Sequence, residues 1–170
     1  MRSHDKKGQQ HRPMTLEDKV KANSEFVIND LGRLASDLGD QFGYNRDSVE
    51  FVEGYIERTK KRGAKQEQID SLVQVLGSFL GECIRHTYGG EWREYEGNPG
   101  VFFENGTAAF PFNKVGMQFK NGLPDSILGF FDVIPKIKGG ELTAPDDGDD
   151  GEIGILEVDE PRRTPGGHRR

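Results

Sequence analysis

The chain has little of what staples, spans or coordinates. A single cysteine, Cys83, rules out an internal disulfide, and a lone cysteine fits a reducing compartment. No apolar run approaches the ~20 residues needed to cross a bilayer. The opening segment MRSHDKKGQQHRPM lacks the apolar stretch of a secretory signal. A cytoplasmic protein without membrane association is therefore expected. His4 and His11 fall in the polar opening arm, where solvation explains them better than metal binding. There is no Walker A sequence, GxGxxG, CxxC, HExxH or GxSxG. The commonest nucleotide, zinc and nucleophile-elbow chemistries therefore have no foothold. Neither a cofactor nor a metal is expected.

Apolar residues are also scarce. They make up 33% of the chain against 31% charged, which fits a modest core with polar ends. Such ends cannot bury enough surface to offset their ordering entropy. A length of 170 residues suits one domain. The net charge of −6 disfavours a general nucleic-acid binder, whose footprint is basic. It suits a basic protein partner. The composition divides the chain into an arm over 1–14, a domain over 15–137 and a tail over 138–170. The arm and the tail, acidic then basic, are expected to be disordered. The acidic run Asp146 to Glu152 lacks the spacing and flanking helices of an EF-hand. Ile153 to Val158 becomes a strand only if a partner edge exists.

Against these absences stand clear periodic signals. Thr15 with Asp18 forms a capping-box pattern. Leu16, Val20, Val27, Leu31, Leu34 and Leu38 then trace one helical stripe, which Gly39 and Gly43 end. Asp47 and Glu50 open a second helix, with Val49, Val52, Tyr55 and Ile56 on one face. The basic run Arg58 to Arg62 falls in its last turn, before Gly63. Cations there complement the helix dipole, a plainer reading than a phosphate patch. Ile69, Leu72, Val73, Leu76, Phe79, Leu80, Cys83 and Ile84 give a third helix with an unusually wide apolar face. Gly77 and Gly81 share one side of it. Each costs up to ~1 kcal/mol against Ala, so close approach by a strand or by the first helix is expected. Gly89-Gly90 ends the helix.

Short strands follow. Glu91 to Glu96 alternates, Asn98-Pro99-Gly100 reads as a turn, and Asn105-Gly106 between two apolar runs reads as a type I′ hairpin. Asn113 caps a short helix over Lys114 to Lys120, and Pro124 opens another. Ile127, Leu128, Phe131 and Ile134 line that last helix, Pro135 ends it, and Phe130 falls off its stripe. The fold class expected is α+β. It has three N-terminal helices, a small three-stranded antiparallel sheet covered by the third helix, and one or two short C-terminal helices.

One polar cluster stands out. Glu82 lies three residues before Arg85 and four before His86, so all three share a side of the helix end. Glu91 and Trp92 follow the Gly-Gly break. A Glu–His pair beside a Trp can serve acid–base chemistry, with Glu82, His86 and Glu91 as catalytic candidates and Arg85 and Trp92 as binding candidates. The simpler reading has Glu82 pairing with its helical neighbours and Trp92 packing on the helix near Phe79 and Cys83. Cys83 falls on the apolar stripe and reads as core.

The runs GSFLGE (Gly77 to Glu82), GGEW (Gly89 to Trp92) and Pro111-Phe112 after the hairpin resemble a group of small uncharacterised bacterial domains. These carry a G-x-F-L-G-E helix end, G-G-x-W and a hairpin closing on P-F. The resemblance covers roughly Ile69 to Pro135 and implies an immunity or accessory role, with no catalytic residue to carry over. The expected function is a non-catalytic protein-binding domain. The alternative is a small enzyme using Glu82, His86 and Glu91.

Overall fold

The computed structural model describes residues 12–139 and, as backbone, the strand 155–157. Helix α1 spans Leu16–Gly32, α2 Arg46–Lys61 and α3 Gln66–Tyr88. An antiparallel sheet follows, β1 over Glu91–Tyr95, β2 over Asn98–Phe102 and β3 over Thr107–Ala109. Helices α4 (Pro111–Asn121) and α5 (Ile127–Lys138) then pack back on the bundle. The three-stranded meander is extended by a fourth strand, β4, over Ile155–Glu157, in the order β1-β2-β3-β4. Of the opening arm, residues 12–14 are exposed and irregular. Its remainder, and the tail other than β4, lie outside the described residues.

The capping box at Thr15 forms as expected. Asp18 N–H donates to Thr15 Oγ1 at 3.2 Å and Thr15 N–H donates to Asp18 Oδ2 at 3.0 Å. The helix stops at Gly32, earlier than the stripe implies, because the chain tightens into turns through Leu34, Ala35 and Leu38. Leu34 is left 63% exposed, while Phe42, beyond the turns, enters the core. Asn45 caps α2 by accepting from Ser48 N–H at 3.0 Å. Two cations of the basic run make contacts within the fold, while Lys61 and Arg62 are exposed. Lys60 Nζ donates to the Gln118 carbonyl at 3.2 Å, and Arg58 lies over the Phe51 ring at 5.6 Å.

Helix α3 is central, packed against α1, α2, α4, α5 and β2. Its segment from Leu76 to Ile84 is buried throughout. The close approach at its glycines comes from neither a strand backbone nor α1. A Cβ on Gly77 would lie 2.9 Å from the Phe112 Cα, at the start of α4. One on Gly81 would lie 2.2 Å from the Trp92 ring. The two glycines cut a slot that seats Phe112 and Trp92.

The turns differ from expectation in two places. Asn98-Pro99-Gly100 is strand rather than turn: Tyr95 pairs with Asn98 and Glu94 with Pro99. The reversal sits one step earlier, at Glu96 (φ 50°) and Gly97 (φ 80°). Two successive positive φ values are what a two-residue type I′ hairpin needs. The Asn105-Gly106 hairpin does form, but only Gly106 has positive φ (84°). Asn105 instead accepts from Thr107 N–H at 3.2 Å and Thr107 Oγ1 at 2.7 Å. That is a three-residue loop with Gly in the left-handed position.

The last helices also shift. Helix α4 starts at Pro111, three residues before the expected start, with proline in its first turn, where the missing N–H is harmless. Pro124 forms a short 3-10 turn, and Ser126 caps α5 by accepting from Gly129 N–H at 2.9 Å. Pro135 lies inside α5 and does not end it. Phe130 is buried because α2, α3, α4 and β3 all contact α5, so its buried side is wider than the stripe, and Gly129, Asp132, Pro135, Lys136 and Lys138 form the exposed side. Lys138, assigned to the tail by composition, closes this helix. Among the described residues, no helix is long and apolar enough to cross a membrane.

Candidate functional site

The end of α3 carries a carboxylate at the centre of a polar network. Glu82 faces inward beside Gly81, and only 6% of its side chain is exposed. A buried carboxylate is costly unless it is paired and hydrogen-bonded. Here Trp92 Nε1–H donates to Oε1 at 2.7 Å. Arg85 closes a fork, Nε to Oε1 at 3.1 Å and Nη2 to Oε2 at 3.3 Å. His86 Nε2 lies 3.5 Å from Oε2, within ion-pair reach when the imidazole is protonated but long for a hydrogen bond. Helical spacing brings Arg85 and His86 to Glu82. The slot at Gly81 brings Trp92.

A cleft of about 400 Å³ opens in front of this network. Helix α1 forms one wall with Glu17, Asp18, Lys21 and Glu25, and Tyr44, Glu82, Arg85, His86 and Trp92 form the rest. The Tyr44 ring stacks on the His86 imidazole, centroids 4.5 Å apart and planes 23° from parallel. Its hydroxyl is 3.0 Å from Ser24 Oγ. His86 is therefore held on two sides, by Glu82 at its edge and Tyr44 on its face, while 47% of its side chain stays open to solvent.

The environment perturbs several groups. Hydrogen bonding to Glu82 raises the Arg85 guanidinium further, which keeps it charged. Burial raises the Tyr44 phenol, against the hydrogen bond with Ser24. Burial also pushes the Cys83 thiol well up, helped by the neighbouring Glu82 charge, so it is an inert core group.

Four of the five sequence candidates converge here: Glu82, Arg85, His86 and Trp92. Glu91 does not. Side chains alternate along a strand, so with Trp92 turned inward Glu91 is exposed, 3.1 Å from Arg93 Nη2. Trp92 packs on α3 as expected. It packs beside Gly81 and against the Phe112 ring, whereas Phe79 stacks on Phe42 instead. Sequence reasoning missed Tyr44, which lies in the linker after α1 and reaches His86 only through the fold. Among the described residues, no three His, Cys, Asp or Glu side chains are grouped to hold a metal ion. Comparison with known protein families, curated proteins and solved structures finds no match to the chain.

Proposed function

We propose that the cleft at the end of α3 is an acid–base site and that the chain is a small enzyme. The observation that carries this reading is the convergence of a buried carboxylate and a half-exposed imidazole on one open cleft. In this reading His86 transfers the proton. Glu82 orients the ring through Nε2 and offsets the positive charge when the ring is protonated, the part a carboxylate plays behind a catalytic histidine. Tyr44 fixes the ring plane. Among the described residues, no serine or cysteine stands in a nucleophile arrangement at the network, so the reading is proton transfer or water activation rather than covalent catalysis. The α1 wall sets three carboxylates, on Glu17, Asp18 and Glu25, against Lys21. That balance favours a substrate with a cationic group.

The test is a screen of hydrolytic and proton-transfer substrates on the intact chain, with three variants. His86→Gln is expected to lower turnover about 10²–10⁴-fold, the usual span for a general acid or base. Glu82→Gln lowers it less, and Glu91→Gln leaves it unchanged. Turnover retained in His86→Gln rules the reading out.

A second reading keeps the protein a cytoplasmic, non-catalytic binding domain of bacterial immunity or accessory type, as the motif resemblance implies. The observation that favours it is the exposure of large apolar side chains, Phe26 at 54% and Leu34 at 63%. Capture of a defined basic protein by the intact chain, lost in Phe26→Ser and unaffected in His86→Gln, supports it over the enzyme.

A further inference from the structure

The outer side of the sheet is closed differently from its other joints. Tight turns link β1 to β2 and β2 to β3, whereas the chain between β3 and β4 runs through α4, α5 and residues 140–154. The pairing is short: Thr107 with Glu157, Ala108 with Leu156, Ala109 with Ile155. Phe103 N–H donates to the Thr107 carbonyl at 2.9 Å, so the Thr107 backbone faces β2. Backbone groups in an antiparallel ladder alternate in direction. The N–H and C=O of Ala108 therefore face outward, onto Leu156. Ala108 is fully buried, and a buried backbone pair needs partners. In this strand, that outward pair is held by Leu156.

We propose that the outer edge of β3 is a strand-acceptor site. The chain's own Ile155–Glu157 fills it in cis, and it takes in trans an extended peptide of the same chemistry: two branched aliphatic residues followed by an acid. Main-chain pairing at a sheet edge is a recurring mode of peptide recognition, and an uncovered edge is a template for it. The clamp at Ala108 is only two main-chain hydrogen bonds, each a small net gain. What keeps the edge filled is the covalent connection, which supplies an effective concentration on the order of millimolar. The cis strand thus excludes weak competitors and yields when its own ladder bond is removed.

The test uses the full chain carrying Leu156→Pro, which deletes the N–H that pairs with Ala108. The probe is a synthetic peptide of residues 151–160, and the readout is hydrogen exchange at the Ala108 amide. Protection is expected to fall at least tenfold in the variant and to return with about 1 mM peptide, while the native chain ignores the peptide. Unchanged protection in the variant, or protection lost and not restored by peptide, overturns the proposal. A second chain guards against misfolding. It has the native strand and a protease site placed within residues 141–150, and is cut after folding. Its C-terminal fragment is expected to stay bound at millimolar concentration and to leave on dilution, with Ala108 protection falling in step. A fragment that separates at every concentration overturns the proposal as well.

Discussion

Replacing Gly81 by alanine should destabilise the protein, although the same change stabilises an ordinary helix. Gly81 lies inside α3, where Ala is worth up to ~1 kcal/mol over Gly. Its new Cβ would meet Trp92 Cη2 and Cζ2 at 2.2 Å and Pro111 Cγ at 3.0 Å. The indole cannot retreat freely. Its Nε1 is tied to Glu82 at 2.7 Å, and Phe112 packs against it with ring centroids 5.9 Å apart. Overpacking a core costs about 1–3 kcal/mol. Moving the ring also strains a hydrogen bond to a charged group, worth about 1.5–3 kcal/mol. Set against the helix gain, the net cost is about 1–3 kcal/mol. With a urea m-value of about 2 kcal/mol/M, the midpoint falls by about 0.5–1.5 M at unchanged slope. In a Trp92→Leu background the main obstacle is gone, and Gly81→Ala should cost much less, with only Pro111 Cγ at 3.0 Å left to give way. A raised midpoint in the native background, or the same effect in both backgrounds, refutes the packing argument.

Three further outcomes follow from the same contacts. Trp92→Phe keeps most of the ring but removes the donor to Glu82 Oε1, and denaturant unfolding should show a loss of about 1.5–3 kcal/mol. Cys83 is fully buried with its thiol raised by burial, so labelling by a thiol reagent should be limited by the opening of the fold and should accelerate with urea as unfolding does. Asp125 has its carboxyl lowered below 3.8 by Asn121 and then by Lys114, whose Nζ is 3.1 Å away. A depressed carboxylate contributes stability above its unfolded value, and that contribution is lost as the pH falls through the folded value. The stability gap between native and Asp125→Asn proteins should therefore be widest near neutrality and close on acidification below 3.8.

Much of this fold is readable from short-range pattern, and the failures have physical causes. Helix α3 is plain because its apolar face is wide and Gly89-Gly90 stops it. Its glycines announce a close approach, but which element approaches is a tertiary fact, and it is Phe112 and Trp92. Asn98-Pro99-Gly100 has turn composition, yet the true turn is Glu96-Gly97, because the pairing of Trp92 with Val101 fixes the register. Phe130 leaves the stripe of its helix and is still buried, since four elements contact that helix and widen its buried side. At the site, Glu82, Arg85 and His86 are legible from helical spacing alone. Strand alternation sends Glu91 away from Trp92, a consequence the β1 pattern already contained. Tyr44 carries no local signal, because its contact with His86 depends on how the linker after α1 folds back.

The central claim is that Glu82 is one carboxylate shared by His86 and Trp92. Trp92 is the only tryptophan, so its indole N–H gives a single, unambiguous proton resonance. That resonance, compared between the native protein and single variants at one fixed pH, reads the sharing directly. Glu82→Gln removes the charge on the acceptor and should shift the indole N–H resonance strongly, and His86→Gln should shift it by a smaller amount through the carboxylate that the two groups share. An indole resonance that stays in place in His86→Gln, or in Glu82→Gln, contradicts the account.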